Sequence, residues 1–191
     1  TLYRPLTKAM FAVEWQLSPD NPSLSHFINI LLFALTGFVL FKVLSKYLNG
    51  QLILPFLTTL LFIAHPIHAE VVSNIKSRDE IVTLLLCLFS ASAFYDWIKE
   101  DKSSKFVIAV LCFLASMFSK ESTITFMVAI PLMFYFFTEA KQKHYISSIS
   151  AMAFCSIIFL LIRKKILGGV EPSPIQIGNV LLLSLFHSGN K

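Results

Sequence analysis

The sequence predicts an all-α fold, a polytopic bundle of about six membrane-spanning helices, and three observations carry that prediction. Of 191 residues, 55% are hydrophobic and 14% charged, against about 25% charged in a soluble domain. Phe alone supplies 19 residues, set in continuous apolar runs and not in the alternation of a lipid-facing barrel strand. Charge and turn chemistry then divide the chain at intervals near the roughly 20 residues a helix needs to cross about 30 Å of hydrocarbon.

The first run extends from about Phe27 to Leu44. It follows the turn cluster from Ser18 to Ser23 and closes at Lys46, with Asn49-Gly50 breaking the chain. The second, about Leu52 to Ile67, carries Pro55 near its start, where a missing N–H does little harm, and stops at His65-Pro66. A third run covers Ile81 to Ile98, a fourth Phe106 to Phe118, a fifth Thr123 to Phe137 and a sixth Tyr145 to Ile162. The fourth is short and calls for snorkelling lysines or a thinned bilayer. Beyond Gly168-Gly169, Pro172 and Pro174, residues 175–186 read as the start of another helix.

The chain reads as one transmembrane domain over residues 1–191. It begins Thr1-Leu2-Tyr3 without an initiator Met and stops in a polar stretch after Phe186, so it is expected to be an internal fragment. Cys87, Cys112 and Cys155 sit far apart inside apolar runs, the pattern of small core or lipid-facing residues. The net charge of +5 falls in short loops and forms no single stripe, which argues against nucleic acid and for anionic lipid or phosphate.

If six helices cross in turn, the loops divide into two sets. The connections after spans one, three and five, Ser45 to Gln51, Lys99 to Lys105 and Glu139 to Lys143, are ordinary Lys-rich solvated turns. The other face holds Tyr3-Arg4-Pro5-Leu6-Thr7, then His65 to Glu80, then Ser119-Lys120-Glu121-Ser122. Counted with the rest of the N-terminal segment (His26) and the stretch after span six (Arg163, His187), this face holds four of the five histidines and all three arginines. Ionisable groups pressed against apolar spans are costly and mark substrate paths or catalytic sites. The lysine count alone does not decide which face is cytoplasmic.

Within the dense segment, His65 and His68 are three apart and share a helical face. Glu70 is not at helical spacing from both, so no metal site is assigned, and interfacial structural histidines are the plainer reading. Ser77-Arg-Asp-Glu80 reads as a capping box for span three, with Asp79 and Glu80 at the positive helix end. Capping leaves Arg78 unexplained, whose fork suits phosphate or carboxylate and equally suits snorkelling to a headgroup. Lys120-Glu121 is a charged turn between two apolar spans, and Arg163-Lys164-Lys165 reads as an interfacial anchor.

In this order, Tyr3-Arg-Pro-Leu-Thr7, His65-Pro-Ile-His68-Ala-Glu70-Val-Val72 with Lys76-Ser-Arg78-Asp79-Glu80, and Ser119-Lys120-Glu121-Ser122-x-Ile-Thr125 resemble a known family. It is the transmembrane-and-tetratricopeptide-repeat O-mannosyltransferases and their bacterial relatives, matched from Tyr3 to about Phe137. The resemblance implies a multi-pass GT-C class membrane glycosyltransferase of the bacterial inner membrane or the endoplasmic reticulum. Its donor is a polyprenyl-phosphate-linked sugar with no other cofactor, its acceptor a protein or glycan, and its motif-bearing face is extracytoplasmic. Ala69 departs from the pattern, where Thr is common. The acidic general base of such enzymes, expected in a first extracytoplasmic loop, falls before Thr1, so no catalytic residue is assigned, and tetratricopeptide repeats are expected downstream.

The residues fit that reaction. Cations at the bilayer edge stabilise a departing lipid phosphate better than they would in bulk water. Arg4, Arg78 and Lys120 are the candidates, with His65 or His68 as hydrogen-bonding groups and Glu70, Asp79, Glu80 and Glu121 orienting cations or sugar hydroxyls. Two other classes stay open, a transporter or flippase and a noncatalytic membrane scaffold. The first places its polar residues near the bilayer midplane, where this chain is mostly apolar apart from Pro131.

Overall fold

The structure, a computed structural model, describes residues 3–19 and 21–167, and every regular element among them is helical. Helix α1 is Pro5–Leu17, α2 Pro22–Tyr47, α3 Ile53–Ala64, α4 Ile67–Ser73, α5 Arg78–Glu100, α6 Ser103–Ser119, α7 Phe126–Phe137 and α8 Gln142–Leu167. Turns of 3-10 helix at Ile75–Ser77 and Glu121–Thr125 lead into α5 and α7. All six expected runs are helical. Three segments, Pro22–Tyr47, Ile75–Glu100 and Gln142–Leu167, are long and apolar enough to cross a bilayer, and the bent pair α3 and α4 would make a fourth. Helices α6 and α7 are shorter, so they reach about 26 Å and 18 Å at 1.5 Å per residue. The helix expected over residues 175–186 lies outside the described residues.

Local chemistry sets the breaks. Asn21 opens α2 by accepting from the backbone N–H groups of Ser23 (3.1 Å) and Leu24 (3.4 Å), ahead of Pro22 at the first helical position. Asn49 and Gly50 take positive φ (54° and 81°) and turn the chain between α2 and α3. His65 is extended because Pro66 follows it, and α4 leaves α3 at 64°. The second span therefore ends before Ile67. The capping box at Ser77 does not form: Asn74 accepts from Lys76 N–H and starts the 3-10 turn, which delivers Ser77 with φ −81° and ψ 7° and no side-chain cap bond. Asp79 takes one orphan donor instead, accepting from Glu80 N–H at 2.9 Å.

Helix α5 is the axis of the bundle. In its apolar window 61% of residues are buried, against 28% in α2 and in α8, which turn Leu31, Phe38, Ile157 and Leu161 outward. Small residues let α6 approach it closely: Ser90 donates to the Ala109 carbonyl (2.8 Å), and Cys87 lies against Ser116. Phe94, Phe113, Phe134 and Phe159, all fully enclosed, fill the space among α5, α6, α7 and α8.

The two ends of this axis carry different chemistry, as the alternation of loops requires. At the C-terminal end of α5, Lys46 pairs with Asp96 (2.9 Å), Lys102 with Glu100 (2.7 Å) and Lys143 with Asp101 (3.0 Å). These are partly exposed pairs of the Lys-rich turns. The N-terminal end gathers α1, α4, both 3-10 turns and the tip of α8.

Candidate functional site

The N-terminal end of α5 presents three consecutive charged residues in three directions, because successive helical positions are about 100° apart. Arg78 points inward and is fully enclosed. Its Nε donates to Asn29 Oδ1 (2.7 Å), its Nη2 to the Ser25 carbonyl (3.0 Å), and its Nη1 pairs with Glu14 of α1. Phe11 covers the guanidinium at 4.4 Å, and Ser25 donates to the second oxygen of Glu14 at 2.7 Å. The fork expected to meet a ligand thus fastens α1 and α2 to α5.

Asp79 turns to the opposite flank, where it pairs with Arg4. Glu121 approaches the same arginine, with its Oε2 3.7 Å from Arg4 Nε and its Oε1 4.0 Å from Arg163 Nη2. Burial would raise the Glu121 carboxyl, but a backbone hydrogen bond and the two arginines hold it below its ordinary value, so it stays ionised. Glu80 points toward α4 and pairs with Lys120. That ammonium has three donors, of which Glu80 takes one.

Beside this pair lies a groove of about 300 Å³ among α2, α3, α4, α5 and the 121–126 segment. Phe33, Phe62, Leu84 and Phe126 give it apolar walls, while Glu80, Ser122 and Thr125 give it a polar mouth. His68 belongs to it, half-buried with its ring 4.3 Å from Phe62 and 5.5 Å from Phe33. Thr83 also lines it, and its Oγ1 is buried without a hydrogen-bond partner among the described residues. His65 and Glu70 are exposed on the outer side of the bend, where His65 Nδ1 accepts from the N–H of Ile67. The structure therefore joins Arg4, Asp79, Glu80, Lys120, Glu121 and His68 around one end of α5, leaves His65 and Glu70 at its rim, and takes Arg78 into the interior. No cluster of three His, Cys, Asp or Glu residues suited to a metal ion occurs among the described residues.

Sequence reading missed Glu14, because a 13-residue helix escapes a search for membrane-length runs. It also set Arg163 aside as an anchor, although the alternation of loops places that residue on this same face. A lone amide inside an apolar run was the available signal for Asn29.

Three comparisons bear on this geometry. The human protein O-mannosyl-transferase TMTC1 is 38% identical over 88 residues, which is 46% of this chain and 10% of that protein. Human protein O-mannosyl-transferase TMTC2 is 33% identical over 129 residues, 64% of this chain and 15% of its own length. Protein O-mannosyl-transferase F38B6.6 of Caenorhabditis elegans is 30% identical over 132 residues, 67% of the chain and 18% of that protein. The chain thus spans between a tenth and a fifth of the length of these relatives. No family model matches, and no solved structure matches. The resemblance carried by the three motifs is borne out, and apolar helices with such relatives make this an integral membrane protein.

Proposed function

We propose that this segment, related to the protein O-mannosyl-transferases, is the donor-binding part of a multi-pass GT-C membrane glycosyltransferase that takes a sugar from a polyprenyl phosphate at the extracytoplasmic face. The observation that carries the reading is the groove: an aromatic and aliphatic channel that ends beside the Lys120–Glu80 pair. Its shape suits a ligand that is half hydrocarbon and half phosphate. The polyprenyl chain lies along Phe33, Phe62 and Phe126, and the phosphate meets the two remaining donors of Lys120.

In the transfer, an acceptor hydroxyl oxygen bonds to the anomeric carbon while the bond from that carbon to the phosphate oxygen breaks. Negative charge grows on the departing lipid phosphate, and Lys120, held in a half-apolar setting, stabilises that charge more than it would in water. None of the described residues is assigned as the base that takes the hydroxyl proton. His68 and the unpartnered Thr83 hydroxyl stand within the groove as hydrogen-bonding groups for the phosphate or sugar. A transporter would need its polar groups along a path through the bundle, whereas here the ionised side chains collect at the two ends of α5.

The test is titration of the purified chain in detergent with a short-chain polyprenyl phosphate and with the matching prenol. Phosphate binds more tightly, and Lys120→Ala weakens it by about tenfold, the scale of one charge-assisted hydrogen bond. Equal affinity for phosphate and prenol would overturn the reading.

A further inference from the structure

The carboxylate of Glu121 lies between two arginines and is bonded to neither. Its oxygens stand 3.7 Å from Arg4 Nε and 4.0 Å from Arg163 Nη2, both beyond hydrogen-bond range. Arg4 Nε is buried and without an acceptor, although Nη1 of the same residue is committed to Asp79. A buried donor left unmade costs free energy that a fitting ligand recovers. Arg4, Glu121 and Arg163 are 19%, 34% and 30% exposed, so a ligand can reach them, unlike Arg78. Beside Arg163 a shallow depression opens along Leu160, Lys164 and Leu167, apolar at both ends.

We propose that Glu121 is a displaceable counter-ion in a two-arginine anion site, and that the phosphate of a lipid ligand takes its place between Arg4 and Arg163. This rests on the donor reading and adds, on the Asp79 flank of α5, a second phosphate position next to the one beside Lys120, with Arg163 as one of its binding residues. A carboxylate offers two oxygens and is tethered to the 121–125 turn, which holds it short of both guanidinium groups. The lipid phosphate released when the sugar departs is a monoester with three terminal oxygens, one more than its sugar-linked diester precursor, and is free to centre itself between the two forks. With no ligand bound, Glu121 keeps the half-buried arginines charge-balanced, since like charges that close repel strongly in a low-dielectric setting. On binding it turns out toward solvent, and the site exchanges one anion for another without ever holding bare cations.

The sign of one substitution decides the matter. Glu121→Gln removes the internal competitor and keeps the side-chain volume, so it tightens binding of a short-chain polyprenyl phosphate by about twofold to fivefold, the scale of a partly exposed charge pair. Arg163→Gln weakens binding by about tenfold, Arg163→Lys restores part of it, and Lys143→Gln at the opposite end changes nothing. Each variant is checked for helicity and for a single species on size exclusion. Inorganic phosphate competes through the same residues only at far higher concentration; equal affinity for inorganic and prenyl phosphate would assign the site to a free anion and overturn the lipid part. Weaker binding in Glu121→Gln would make Glu121 a direct ligand contact and overturn displacement. If wild type prefers phosphate to prenol and Lys120→Ala abolishes that preference while Arg163→Gln does not alter it, this inference fails and the donor reading stands.

Discussion

Arg78 and Lys120 carry the same charge at the same end of α5 and do opposite work. Each guanidinium nitrogen of Arg78 donates to protein, with Glu14, Asn29 and Ser25 around it and Phe11 above. Replacing it by Gln leaves the buried Glu14 without its cation, and breaking such a pair costs about 3 to 5 kcal/mol. Arg78→Gln should therefore lower the midpoint of thermal or denaturant unfolding and the yield of folded protein, whereas Lys120→Ala changes ligand binding and leaves the midpoint within a degree or two. Equal midpoints for the two variants would contradict the assignment. Ser77→Ala should fall within about 0.5 kcal/mol of wild type, as for surface positions that touch nothing special, since its hydroxyl makes no cap bond. That Arg78 matters was legible in its charge at the edge of an apolar run. Its inward direction was not, because the partner that decides it, Glu14, sits 64 residues away on a helix too short to be sought.

At the scale of elements, the groove exists because three helices meet at controlled distances. Gly37 of α2 faces Ile63 of α3, and a Cβ at that position would stand 2.6 Å from Ile63 Cδ1. Gly37→Ala therefore pushes the end of a flexible side chain, at a cost of about 1 kcal/mol, and Ile63→Val in the same chain removes the clashing methyl and recovers most of that cost. A double-mutant cycle measures the coupling; additive effects would mean that α2 and α3 do not pack there. The bend between α3 and α4 was legible in His65-Pro66, since the residue before proline is forced out of helical geometry. The start of α5 was misread for the opposite reason. Asn74 begins the turn three residues earlier than Ser77, and a capping motif in the sequence does not say which of two polar residues the chain uses first.

For the whole molecule, the sorting of charge to the two ends of α5 was the strongest inference from sequence, and it is what the ion pairs display. It was legible because apolar runs of known length fix where the loops fall. The groove was not, because its walls come from α2, α3, α5 and the 121–126 segment, and none of Phe33, Phe62, Leu84 or Phe126 differs in sequence from any lipid-facing residue. Single cysteines in place of Glu70 or Ser122, both exposed, should react with an impermeant maleimide from one side of a sealed vesicle, and cysteines at Lys102 or Gln142 from the other. Labelling of 122 together with 102 would place both ends on one side and remove the basis for a single charged face.

Occupancy of the groove by a lipid phosphate is the central claim, and photolabelling tests it most directly. A short-chain polyprenyl phosphate bearing a diazirine on its chain is irradiated with the chain in nanodiscs, and the labelled peptides are mapped by mass spectrometry. Label should concentrate on Phe33, Leu84 and Phe126, should fall when unlabelled polyprenyl phosphate is added, and should persist when the prenol is added at the same concentration. Label spread along the outward residues Leu54, Leu57 and Leu61 of α3, or lost equally to phosphate and prenol, would contradict the account.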